Sequence, residues 1–351
     1  MQRSKELSRD RREVPAPFYE YLDHLASTEL KAHSVLQGAT RIRYDAAHRK
    51  QGGLALSRIS AERILQALRP GAAVLLSTGT GNSVWLPRGE TDGPSGIAVL
   101  ARLFTSLQHR VCVLAEKHYL PGIVAAVEAA GVPALEESNW RQRPFGMLAV
   151  EFPLGRAAAE SFVDPFLDRT PEAALALFVE KPGPNVKGVF HNSSGKPKPP
   201  ESLGHLNWLA ERCRARGIAT GAVGDGGNEI GFGLVQPELT AAHPYGKECG
   251  CPCGHGIIDA TTVDFLFPAA VSNWGGYAIA AAVAMSLKMS DLLPGLSEVE
   301  ETIRAPLAHG AFDGYSGMSV PTVDGTSLEA NKAVYQLMLE VTRLAQTANA
   351  A

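Results

Sequence analysis

The chain has 351 residues, of which 45% are hydrophobic and 20% charged. These are values of an ordinary globular protein, and they exclude wholesale disorder. Lys and Arg number 33 against 36 Asp and Glu, a net charge of −3, so there is no electrostatic case for a nucleic-acid or anionic-membrane partner.

Taken in chain order, the first 70 residues read as charged and helical. Phe18 to Gln37 and Ser60 to Leu68 have amphipathic spacing, and Pro70-Gly71 closes the segment. From there apolar runs alternate with amphipathic stretches. Ala72–Ser77 reads as a buried strand, and Pro94 opens a helix that runs through Leu107. Val111–Ala115 is a second strand, and Leu120 to Ala130 a helix stopped by Gly131. Val132–Leu135 and Met147–Phe152 read as strands, Ala157 to Leu167 as a helix and Ala174–Val179 as a strand. A helix over Leu203 to Ala215 leads to a strand over Ile218–Val223. Phe265–Val271 is the last strand, before a small-residue helix from Gly275 to Leu287. Ser297–Leu307 and Leu328–Ala345 read as helices, the last either an oligomer interface or a packed end.

Alternating strands and helices imply a three-layer αβα fold with a mainly parallel, Rossmann-like sheet and helical additions at both ends. The expected organisation is a helical segment over residues 1–65 packed on a single α/β domain over 66–351. No apolar stretch approaches the roughly 18 residues that span a bilayer. The N-terminal MQRSKELSRDRREVP has neither the apolar core of a secretory signal nor the acid-poor character of a transit peptide. Five unevenly spaced Cys make a poor disulfide framework. The expected compartment is therefore reducing: the cytoplasm, or the mitochondrial matrix in a eukaryote.

In such sheets, loops at the carboxyl ends of the strands form the ligand crevice. Four strands run into polar, Gly-rich loops: 78–96 (TGTGNSVWLPRGETDGPSG), 180–197 (EKPGPNVKGVFHNSSGKP), 224–233 (GDGGNEIGFG) and 272–277 (SNWGGY). In the third, Gly224, Gly226 and Gly227 surround Asp225 and precede Asn228 and Glu229. The glycines permit an N–H nest for an anion, and the acids suit metal ligation or acid/base work. The bland alternative is a tight turn whose acids cap a helix. In the first loop, Asp92 or Thr91 is either functional or the N-cap of the Pro94 helix. The TGTGN turn lacks the Walker Lys and the G-x-G-x-x-G spacing, so no nucleotide site and no organic cofactor are read there. In the second, Glu180 is followed by His191, Asn192, Lys196 and Lys198, cationic groups among them suited to substrate carboxylates; Lys198 reads as a solvated surface residue. In the fourth, Ser272 or Asn273 either caps a helix or lines a site, and Trp274 either walls a small pocket or sits in the core.

Residues 249–255 read CGCPCGH, and Cys249, Cys251, Cys253 and His255 offer four soft ligands in seven residues. A structural Zn of Cys₃His type is one reading; reduced thiols or a redox pair is the other.

The motifs ETDGPSG, EKPG, GDGGNEIGFG and VSNWGGYA, in that order and approximate spacing, resemble the cyclase-like domain of the D-glutamate cyclase family. The resemblance covers about residues 65–290. It marks Glu90, Asp92, Glu180, Asp225, Asn228, Glu229, Ser272 and Asn273. There are departures from the family pattern: Lys181 stands where Arg is expected and Phe232 where Met is expected, and CGCPCGH and the N-terminal 60 residues lie outside the match. The resemblance implies condensation of D-glutamate to 5-oxo-D-proline with loss of water, or the reverse opening. The expected catalytic residues are Asp225 or Glu229 as base and Glu180 or Glu90 as acid. The Gly226-Gly227 nest, or a divalent cation (Mg²⁺ or Mn²⁺) on the acids, would stabilise the oxyanion. Thr78, Gly79, Thr91, Asp92, Asn192, Gly226, Gly227, Asn228, Ser272, Asn273 and Trp274 are the expected substrate-binding residues, for a small amino acid. A metal-assisted lyase or hydratase of another small acid, and a non-catalytic carboxylate or phosphate sensor, are the competing readings. The converging acids argue against the sensor, because added negative charge weakens anion binding.

Overall fold

The computed structural model describes residues 14–30 and 38–348. Six strands form one wholly parallel sheet: β1 (Ala73–Ser77), β2 (Arg110–Glu116), β3 (Met147–Phe152), β4 (Ala173–Val179), β5 (Ala219–Gly224) and β6 (Phe265–Pro268). Their order is β3-β2-β1-β4-β5-β6. β1 and β4 are buried at every residue, as expected of inner strands covered on both faces. The order reverses between β1 and β4, and the crevice outside the carboxyl ends of these two strands is where such sheets take ligands.

Helices cover the sheet: α1 (Ala16–Ser27), α2 (Ala39–Lys50), α3 (Leu56–Ala67), α4 (Pro94–Ser106), α5 (Leu120–Ala129), α6 (Glu137–Gln142), α7 (Arg156–Arg169), α8 (Leu206–Ala215), α9 (Gln236–Ala242), α10 (Ser272–Ser286), α11 (Leu296–Ala308) and α12 (Leu328–Thr347). α10 is the central one, buried from Ser272 to Met285. Its Gly276 lies so close to Gly96 of α4 that an added Cβ would meet backbone at 2.9 Å. α1, α3, α4 and α12 all pack on it. No helix among the described residues is long and apolar enough to cross a membrane.

The sequence reading needs correction at several elements. The first helix ends at Ser27 rather than Gln37, and residues 31–37 lie outside the described residues. α2 was not expected, because ATRIRYDAAHRK is too polar to show an apolar stripe. α3 starts at Leu56 rather than Ser60, because its cap comes from another helix. Asp23 of α1 accepts from Leu56 N (2.6 Å) and Ser57 N (3.0 Å). Val132–Leu135 is not a strand; only Ala134 bridges to Met147. The final strand stops at Pro268, which has no N–H for the ladder.

Candidate active site

The loops after β1, β4 and β5 each deliver acids to the reversal point by a different local device. The loop after β1 carries Asp92 to the amino end of α10, where its Oδ1 accepts from Asn273 N and its Oδ2 from Ser272 N, both at 2.8 Å. Asn273 returns the bond: its Oδ1 accepts from Gly93 N (3.0 Å) and Gly96 N (2.7 Å) at the start of α4, and its Nδ2 donates to Thr91 O (3.0 Å). Asp92 therefore caps α10 rather than the Pro94 helix in its own loop. Gly93 has φ +98°, and a Cβ there would fall 2.0 Å from Thr78 Oγ1, so only glycine fits.

Glu180 follows β4 with φ +49°, a strained conformation for a non-glycine residue. Its carboxyl is 7% exposed and accepts from Ser272 Oγ at 2.6 Å. Burial raises its pKa well above the usual Glu range, and the charges of Glu229, Asp225, Asp92 and Glu90 raise it further. The carboxyl is thereby held protonated at pH values where an exposed Glu has ionised.

After β5, the glycine turn forms the expected nest, and a side chain of the same turn occupies it. Glu229 turns its own carboxylate back, accepting from Gly226 N (2.9 Å) and Gly227 N (2.8 Å). Burial and then the charge of Asp225 raise its pKa, and the Gly227 N–H opposes them. Asp225 stays half-buried between two groups. Its carboxylate gathers with those of Glu180 and Glu229, and also with those of Asp92 and Asp324, ligand oxygens lying within 4.8 Å of one another in each trio. Either trio is an all-oxygen donor set of the kind Mg²⁺ or Mn²⁺ prefers.

Three residues of this centre escaped the sequence reading. Asp324 (φ +50°) comes from the segment before α12. That segment is laid on the first loop by Thr91 N to Phe312 O (3.0 Å) and Thr91 Oγ1 to Thr322 O (2.7 Å). Arg43, from α2, is 5% exposed. It spends Nη2 on Thr40 Oγ1 at 3.2 Å, while Nε and Nη1 have no hydrogen-bond partner among the described residues. Burial lowers its pKa, and Asp225 and then Glu229 are the charges that most oppose this. Lys198, read as a solvated residue, instead sends Nζ inward to Thr80 Oγ1 and to Gly81 O. Burial lowers its pKa as well, with Glu90 the foremost opposing charge.

Some of the other expected site residues are engaged elsewhere, and some keep unpartnered polar atoms. Trp274 does not wall a pocket: it is fully buried, and Nε1 donates to Asn331 Oδ1 of α12 at 2.8 Å. Asn192 closes a turn, accepting from Ser194 N (3.2 Å) and Lys196 N (2.9 Å). Gly79 contributes its carbonyl to Lys181 Nζ (2.7 Å), and the Lys181 ammonium also pairs with buried Glu116. Thr78 Oγ1 is buried without a partner, as is Asn228 Oδ1, whose Nδ2 donates to His191 O (3.2 Å). Glu90 sits beside Gly314, whose added Cβ would lie 2.3 Å from Glu90 Oε2.

The cysteine loop also differs from expectation. Cys249, Cys251 and Cys253 do converge, but the imidazole among them is that of His191, from the loop after β4. His255 contributes its backbone carbonyl, which accepts from Cys249 N at 3.0 Å.

A cavity of about 660 Å³ lined by Arg63, Arg69, Thr170, Arg216 and Asp264 lies at the opposite, amino end of the sheet and holds none of these acids.

The family model described as D-glutamate cyclase-like, C-terminal, matches residues 39–339. The chain belongs to this family. The match begins upstream of the expected residue 65 and runs past 290, so it takes in both Arg43 and Asp324. The chain is also similar to human "D-glutamate cyclase, mitochondrial", 25% identical over an alignment of 295 residues that covers 73% of this chain and 43% of the human protein. It thus spans less than half the length of that curated relative.

Proposed function

We propose that this chain cyclises D-glutamate to 5-oxo-D-proline with loss of water. The observation that carries the reading is Glu180. It is a buried carboxyl whose pKa is pushed well above the ordinary Glu range by burial and the charge of its neighbours, beside a second, more accessible carboxylate, Asp225, at the point where the sheet opens to ligands. Family membership and the name of the human relative support D-glutamate as the substrate.

The α-amine must lose a proton before it attacks the γ-carboxyl carbon. Asp225 takes that proton, because Glu229 is already occupied by two N–H groups. The attack forms the C–N bond and a tetrahedral carbon. The γ-carboxyl enters as the neutral acid; Glu180 gives its proton to the departing hydroxyl, which leaves as water as the C–O bond breaks, and the second proton on the new C–N nitrogen passes to the Glu180 carboxylate so formed. Ser272 Oγ holds the Glu180 carboxyl in place throughout. Arg43 pairs its free Nε and Nη1 with a substrate carboxylate. Thr78 Oγ1 and Asn228 Oδ1 are further orphaned groups that a small amino acid satisfies. A divalent cation held by Asp92, Asp225 and Asp324, the trio that leaves Glu180 its proton, would supply Lewis-acid polarisation of the γ-carboxyl. Attack is intramolecular, so folding the substrate is the larger task, and the cost of meeting a second reactant is absent.

The test is incubation of the purified chain with D- and with L-glutamate, with and without Mg²⁺ or Mn²⁺, followed by chiral chromatography of 5-oxoproline. Product from the D-isomer supports the proposal. Absence of product from folded protein under every condition overturns it.

A further inference from the structure

We infer that Cys249, Cys251, Cys253 and His191 bind a Zn²⁺ ion that clamps the loop after β4 to the 249–256 segment. The four donors come from two loops about sixty residues apart, yet all lie within 4.8 Å of one another. Sγ of Cys249 is 3.1 Å from that of Cys251 and 3.4 Å from that of Cys253. His191 Nε2 lies 3.3 Å from Cys251 Sγ and 3.9 Å from Cys253 Sγ. Tetrahedral zinc with bonds of about 2.3 Å to sulfur and about 2.0–2.1 Å to nitrogen separates its donors by about 3.5–3.8 Å. The measured separations bracket that range, so small side-chain shifts admit the ion.

The surroundings are those of metal-bound thiolates. Cys251 N–H points at Cys249 Sγ (3.3 Å), and the amide of buried Asn185 points at Cys253 Sγ (3.4 Å). Asn185 Nδ2 also holds Gly256 O at 2.8 Å, and its Oδ1 accepts from Lys187 N and Val189 N. One side chain thereby orients both loops around the cluster, as outer-shell groups do in zinc sites. Four protein ligands leave no open position, so the ion is structural.

The clamp reaches toward the acidic centre. His191 O accepts from Asn228 Nδ2, and Gly183 N donates to Asn228 O at 2.9 Å. Asn228 precedes Glu229, so the ion fixes the loop against which the glycine turn is folded.

The experiment is metal analysis of the full chain purified without chelator, paired with Co²⁺ substitution. The expected result is about one zinc per chain and, with Co²⁺, the thiolate charge-transfer and intense visible bands of a tetrahedral site. His191→Ala should lose the metal on gel filtration with chelator. His191→Cys should retain it, and so should His255→Ala. Wild-type protein that holds no zinc and gives no tetrahedral Co²⁺ spectrum overturns the inference. So does a disulfide among the three cysteines in the freshly purified protein, or loss of metal in His255→Ala with retention in His191→Ala. Zinc retained by a protein that makes no 5-oxoproline would leave this site standing and remove the cyclase reading.

Discussion

Asp92 and Asn273 cap each other's helices. The aspartate closes the amino end of α10, and the asparagine closes that of α4, across 181 positions of sequence. Both helices begin at the crevice, so the exchange sets the angle at which the first and fourth loops meet. Loss of a single cap costs about 1 kcal/mol, and leaving buried donors unsatisfied adds about 1–3 kcal/mol. Asn273→Ala, which orphans Gly96 N and leaves Gly93 N only Asp92 Oδ1, should lower unfolding free energy by roughly 2–4 kcal/mol. Urea denaturation measures this, and a loss within about 0.5 kcal/mol, the range of ordinary surface changes, would contradict it.

Lys181 and Glu116 form a pair sealed from solvent, with Gly79 O on the lysine and Gly204 N on the glutamate. The pair ties together the carboxyl ends of β1, β2 and β4. Removing one partner strands the other charge in the interior, which typically costs about 3–5 kcal/mol. Lys181→Met should show that loss in chemical denaturation, and Glu116→Gln combined with it should recover a substantial part.

The pH dependence of stability follows from Glu180. Burial and the charges around it hold its folded pKa well above the ordinary value. Between the unfolded and folded values the native chain binds the extra proton. Its contribution is therefore fully present below the unfolded pKa and is lost as pH rises toward the folded one. As pH rises above the ordinary Glu range, wild-type protein should lose stability relative to Glu180→Gln, which carries no ionisable group there. Parallel stability curves for the two proteins would contradict the environment described for this carboxyl.

Arg43 brings a buried guanidinium with two uncommitted nitrogens against the acids after β5. Arg43→Lys keeps the charge but not the planar fork that grips a carboxylate. KM for D-glutamate should rise roughly ten- to a hundredfold, about 1.4–2.8 kcal/mol of binding, with a smaller change in kcat. An unchanged KM would assign Arg43 to charge balance alone.

The sheet was legible because inner parallel strands are bare apolar runs, as in AVLLS and AALALFV. The loops were legible because glycine and acid cluster where strands end. What sequence could not reveal was the reach of side chains across the fold. Arg43 looked like any charge on a polar helix, and Asp324 like any turn aspartate. His255 was chosen for its nearness in sequence to the cysteines, whereas His191 arrives from another strand end. The Gly226-Gly227 turn was read as a nest for a ligand's anion, but Glu229 is near enough in the same turn to fill it. Asp23 and Asp92 act as caps for helices distant in sequence, a relation that local capping rules do not reach.

The most direct test of the proposed chemistry is turnover of D-glutamate by Glu180→Gln beside the wild type. The amide keeps the volume and an acceptor for Ser272 Oγ, but it has no proton to give. The account predicts folded protein whose kcat is lower by about 10²–10⁴, the usual worth of a general acid. Wild-type rates from Glu180→Gln would contradict it.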